Sequence, residues 1–104
     1  MIIVTWRFST APGKLNQGLE WEKGNQPILK KEGFEPQKKW LLRPRTGDTN
    51  RFVVSAQFTS FAAYGEFLAK GAASTAWQDR IKEINESDWY AGTEVTISEL
   101  IEEH

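Results

Sequence analysis

From Arg51 to Thr59 the chain alternates without interruption. Phe52, Val54, Ala56 and Phe58 fall on one side, and Val53, Ser55, Gln57 and Thr59 on the other. A period of two is the mark of a β-strand with one buried face. Ile2 to Phe8 repeats it, with Ile2, Val4, Trp6 and Phe8 opposite Ile3, Thr5 and Arg7. Strands of this kind need a second layer over their apolar side, and that requirement constrains everything between them.

The intervening segments supply that layer. Lys14 to Glu32 reads as helix, with Leu15, Leu19, Glu22, Gln26 and Leu29 at helical spacing. Gly24 and Pro27 predict a kink near Asn25, and Gly33 a C-terminal stop. Lys38 to Arg45 reads as a strand with Trp40 and Leu42 on one face and Lys39, Leu41 and Arg43 on the other. Pro44 marks its end as an edge or bulge, and Thr46 to Asn50 reads as a polar hairpin loop. Ser60 is a suitable N-cap for a helix from Phe61 to Lys70, and Ser74 for a second from Thr75 to Glu86. Asn85 to Gly92 reads as a loop and Thr93 to Ile101 as a last strand.

The order is therefore β-α-β-β-α-β. Two split βαβ halves make an α+β, ferredoxin-like sandwich: a four-stranded antiparallel sheet with both helical segments on one face. Residues 1–104 then form a single domain. The second sheet face is expected to mix Ile3, Leu41, Val53 and Leu100 with Thr5, Arg7, Arg43, Ser55, Gln57, Thr96 and Ser98. That is too apolar for a free surface and too polar for a sealed core, so a second copy is expected to cover it and enclose a polar cavity. Each large side chain covered there contributes about 1.5–3 kcal/mol.

Composition narrows the chemistry. Thirteen Lys and Arg against fourteen Asp and Glu leave a net charge of -1. Neither a nucleic-acid partner nor docking on a membrane is expected from that balance. The start, MIIVTWRF, reads as a strand rather than a secretion signal. With no cysteine, there is neither a disulfide framework nor a thiolate metal site, and a cytoplasmic location is expected. His104, the last residue, is the sole histidine, so Ser-His-Asp machinery and multi-histidine metal sites lack their parts. No metal or cofactor is expected.

The same order, together with Pro12-Gly13-Lys14 before the first helix, Gly47-Asp48-Thr49-Asn50-Arg51-Phe52, Phe58-Thr59-Ser60-Phe61 leading to Tyr64, and the closing Glu99-Leu100-Ile101, resembles the dimeric α+β-barrel superfamily, and within it NIPSNAP-type domains. The resemblance spans nearly the whole chain and rests on scaffold features, none of them catalytic. It implies a homodimer packed sheet to sheet, with an internal pocket in each subunit. Members include haem-degrading and quinone-forming monooxygenases and lactone isomerases. The haem-binding branches use a histidine in the second helix, which is missing here. The haem-degrading set is likewise incomplete: Trp77 is present, but no helical histidine follows it. Cofactor-free oxygenation of a phenol requires no histidine.

Arg7 and Arg43 are the first site candidates. Both are expected on the face lining the barrel, where they would clamp a carboxylate or enolate; the alternative is a structural ion pair with Glu94, Glu99 or a partner carboxylate. Thr5, Ser55, Gln57, Ser98 and Thr96 would orient a ligand there, or simply pair across strands. Tyr64 and Asp79 are distant candidates for proton transfer. Trp6, Trp40, Phe52, Phe58 and Trp77 read as core, Trp21 as a lid, a contact or an exposed residue, and Trp89-Tyr90 as an exposed contact surface. Glu20, Glu22 and Glu32 with Lys23, Lys30 and Lys31 read as a solvated helix face. The expected function is binding or transforming a small anionic or aromatic molecule in the barrel interior. A non-enzymatic interaction module is the alternative, and a monooxygenase a weaker one.

Overall fold

The computed structural model describes all 104 residues. The chain runs β1 (Ile2–Thr10), α1 (Leu15–Lys23), α2 (Asn25–Glu32), β2 (Lys38–Leu42), β3 (Arg51–Phe58), α3 (Phe61–Ala73), α4 (Thr75–Glu86) and β4 (Tyr90–Glu99). The strands form one antiparallel sheet in the order β2-β3-β1-β4. This is the ferredoxin-like α+β arrangement expected from the alternating strands. No helix is long and apolar enough to cross a membrane.

Register places the apolar rows together. Trp6 stands between Val54 and Val95, and Val4 between Ala56 and Ile97. Two buried clusters grow on this face. Ile2, Val4, Ala56 and Phe58 pack under Tyr64 and Phe67 of α3, while Trp21, Phe52, Val54, Ile84 and Trp89 pack with Phe8, Leu15 and Leu19. Trp6 touches both clusters.

The first helical segment divides as expected, one residue earlier than Asn25. Gly24 closes α1 and opens α2. A Cβ on Gly24 would lie 2.8 Å from an Arg80 guanidinium nitrogen, so the gap in the side-chain layer admits α4's arginine. Pro27 costs no hydrogen bond in the first turn of α2, where N–H groups have no helical acceptor. Gly33 ends α2 at φ 74°, a left-handed conformation that favours glycine.

Both serine caps form. The Ser60 hydroxyl accepts from the Ala63 N–H at 3.1 Å, and Ser74 from the Trp77 N–H at 3.1 Å. Ser74 also donates to the Glu32 carboxylate at 2.8 Å, tying the start of α4 to the end of α2. Ser60→Ala is therefore expected to cost about 1 kcal/mol, the ordinary value of a cap. Ser74→Ala should cost about 2 kcal/mol or more, because a hydrogen bond to a charged group goes with the cap. Urea titration of both variants checks the order, and equal losses would refute a role for the Glu32 contact.

Three aromatic residues lie elsewhere than expected. Trp89 is buried in the short turn before β4, because Gly18 of α1 leaves room for its ring: a Cβ there would meet the indole at 3.1 Å. It presents no contact surface. Trp21 is buried too, with its indole N–H donating to the Arg80 carbonyl at 3.2 Å. Trp40, expected in the core, is exposed on the sheet's open face. There β2 pairs one position out of phase with its hydrophobic pattern. Lys39 lies beside Ala56 and Leu41 beside Val54, both on the helix side, while Trp40 and Leu42 take the open side.

Candidate functional site

The inward turn of Lys39 has a specific cause. Glu22 of α1, expected on a solvated face, is buried, and its Oε1 lies 2.5 Å from Lys39 Nζ. The other carboxylate oxygen accepts from Asn25 Nδ2 at 3.1 Å. Asn25 is completely buried, and its Oδ1 accepts from Arg80 Nε at 2.8 Å. Arg80 also donates to the Trp21 carbonyl and to Glu83, and its guanidinium lies over the Trp21 ring, 5.4 Å from the centroid. A buried charge persists only when paired and hydrogen-bonded. This chain of groups meets that condition, and it fixes β2's phase.

The network borders a cavity of about 290 Å³ between the sheet and the helices. Trp6, Phe8, Val54 and Ala56 form its sheet wall. Trp21 and Leu29 close one side, and Phe67, Leu68, Trp77, Ile81 and Ile84 the other. Twelve of its seventeen lining residues are hydrophobic. The polar exceptions are Glu22, Lys39, Asn85 and Thr93, and the Tyr90 and Thr93 hydroxyls bond to each other at 2.6 Å. Glu22, Pro36 and Lys39 also line a polar groove outside, so the ion pair stands between that groove and the apolar cavity.

The residues singled out from the sequence lie mostly on the opposite side. Thr5, Arg7, Ser55, Gln57 and Ser98 share the open face through the β4-β1-β3 register. Arg7 donates to the Thr96 hydroxyl at 2.9 Å, the Thr5 and Ser55 hydroxyls approach to 3.3 Å, and Gln57 donates to Gln37 at 3.0 Å. Arg43 does not join them. Strand β2 stops at Leu42, and Arg43 is exposed one residue beyond, where alternation points to the helix side. The pair Arg7 and Arg43 therefore forms no clamp within one protomer. None of these six residues lines the cavity.

Neither proton-transfer candidate is placed for that role. Tyr64 packs between Trp6, Phe58 and Phe67, and burial pushes its hydroxyl pKa above the usual value, which keeps it protonated near neutrality. Asp79 is exposed on α4. The cavity itself escaped sequence reading because its walls look like ordinary core. The available signal was Glu22 in the apolar stripe Leu15, Leu19, Glu22, Leu29, matched by a lysine in the next strand.

No family model matches this chain, and no curated protein matches its sequence. Solved structures share its fold. Protein Atu4242 from Agrobacterium tumefaciens superposes with a TM-score of 0.78 at 16% identity, over 95% of this chain and 92% of that one. An uncharacterised NIPSNAP domain protein from Burkholderia xenovorans gives 0.78 at 14% identity, over 96% and 94%. A MhuD variant with two manganese protoporphyrin IX groups bound per active site gives 0.76 at 13% identity, over 100% and 98%. The three share this fold from end to end.

Proposed function

We propose that this chain binds a small planar aromatic molecule in the cavity between its helices and its sheet. The observation that carries the reading is the wall: Trp6, Phe8, Trp21, Phe67 and Trp77 surround one space of about 290 Å³. Flat rings fit such walls by stacking and edge contacts. A cavity of about 150 Å³ takes benzene, and ligand sites start near about 300 Å³. Two or three fused rings match the volume better than a porphyrin does. The MhuD neighbour, which holds planar macrocycles in its active site, supports a ring-binding use of the fold.

The second element of the proposal is a homodimer packed through the open sheet face. Trp40 and Leu42 are 41% and 49% exposed there, on the face that also carries Val53 and Ile3, and no helix covers them. In such a dimer Thr5, Arg7, Ser55, Gln57 and Ser98 would face the partner's sheet, where Arg7 would meet a partner carboxylate or an anionic ligand.

Two measurements test these elements separately. A naphthalene-sized aromatic at about one hundred times its Kd is expected to raise Tm by on the order of 10 °C. If no such compound in a broad panel shifts Tm, the binding reading falls. Light scattering is expected to give twice the chain mass of 11.9 kDa, and Leu42→Glu, at an exposed position, is expected to return it to a folded protomer. A wild-type protomer at high concentration would refute the dimer.

A further inference from the structure

An apolar cavity with a single buried ion pair in its wall discriminates among ligands by charge. Lys39 and Glu22 are 16% and 6% exposed at their side chains, so both face little water. Both Glu22 oxygens are occupied, one by Lys39 and one by Asn25. Lys39 differs: an ammonium has three N–H donors, and Glu22 is the carboxylate paired with it. The pair as a whole carries no net charge.

We infer that the Glu22–Lys39 pair makes the cavity select a neutral carbonyl-bearing aromatic, an aryl ketone or lactone, over an aromatic anion. This rests on the reading that the cavity binds aromatic molecules. A carbonyl oxygen takes a spare Lys39 donor and leaves the charge balance intact. A carboxylate takes the same donor but sets a second negative charge beside Glu22, in a site of low dielectric where like charges repel strongly. It also gives up its own hydration on entering the aromatic walls. An apolar ring leaves the Lys39 donor unmet. The expected order is therefore neutral acceptor first, hydrocarbon second and anion last.

Three probes of one shape test this: 2-acetonaphthone, 2-isopropenylnaphthalene and 2-naphthoate. Trp6, Trp21 and Trp77 line the cavity and report occupancy by fluorescence. Wild type is expected to bind the ketone about tenfold tighter than the hydrocarbon, the range of one hydrogen bond to a charged group, and the naphthoate weakest. In Glu22→Gln, naphthoate affinity is expected to rise about tenfold or more, and by more than the ketone's, because Lys39 is freed to face the anion. Should that variant not fold, Glu22→Leu/Lys39→Met removes both charges and is expected to bring ketone and hydrocarbon within twofold. If the wild type takes none of the three probes, the cavity reading itself fails. If it binds naphthoate as well as the ketone, or either variant leaves the wild-type order intact, only this inference is overturned.

Discussion

Lys39→Ala is expected to destabilise the fold by about 3–5 kcal/mol, the cost of leaving one member of a buried ion pair without its partner. Surface lysines behave otherwise. Lys82 and Lys70, paired along their helices with Glu86 and Glu66, are exposed, and each should be worth well under about 1 kcal/mol. The contrast arises from Glu22. With Lys39 gone, its carboxylate stays buried under α1, held by Asn25 alone. Glu22→Ala should cost a similar amount, since it strands the ammonium instead. Glu22→Leu/Lys39→Met, which replaces both charges with apolar groups of similar volume, should recover most of either loss, the remainder being the buried Asn25 amide left without its acceptor. Urea midpoints for the three variants check this. A Lys39→Ala loss below about 1 kcal/mol would mean that water reaches the pair and that the polar partition of the cavity is open.

That same pair explains where sequence reading stopped. In β1 and β3 one face is apolar and the other polar, so register followed from alternation: Val4 opposite Ala56 and Trp6 opposite Val54. The caps at Ser60 and Ser74 were equally legible, because capping is local chemistry. Strand β2 offers no such contrast. Trp40, Leu41 and Leu42 put hydrophobic residues on both faces, and the larger ring pointed the assignment inward. What decides the phase is Glu22, seventeen residues before Lys39 and brought to it only once α1 lies over the sheet. The inward assignment of Trp40 also put Arg43 on the face of Arg7, whereas Arg43 lies one residue beyond the end of β2 and outside its paired register. Trp89 failed for a related reason. Its burial depends on an absent side chain, that of Gly18, rather than on any pattern around Trp89 itself. The cavity belongs to tertiary structure altogether. Trp6, Trp21 and Trp77 each read as core or contact, and only their convergence shapes a pocket.

Gly18 and Phe52 give the other large effect, and they give it as a coupled pair. Phe52 has no exposed surface and stacks on Phe8 with ring centroids 4.8 Å apart. Phe52→Ala is expected to cost about 3–5 kcal/mol, from lost transfer energy and the hollow left behind. A Cβ on Gly18 would lie 2.7 Å from Phe52 Cε1 and 3.1 Å from the Trp89 ring. Helix propensity alone favours Gly18→Ala by about 1 kcal/mol. The overlap opposes it by about 1–3 kcal/mol, because both rings are buried and packed against their neighbours. Gly18→Ala should therefore be neutral to destabilising, where an open helical glycine such as Gly65, with nothing near its Cβ position, should be stabilised by the same change. In Gly18→Ala/Phe52→Ala the overlap with Phe52 vanishes and the new methyl fills part of the hollow. The double variant should then be more stable than the sum of the single changes requires, by about 1 kcal/mol or more. Additivity within error would show that α1 shifts off the sheet to relieve the contact, and that the wall holding Trp21 against the cavity is softer than its packing implies.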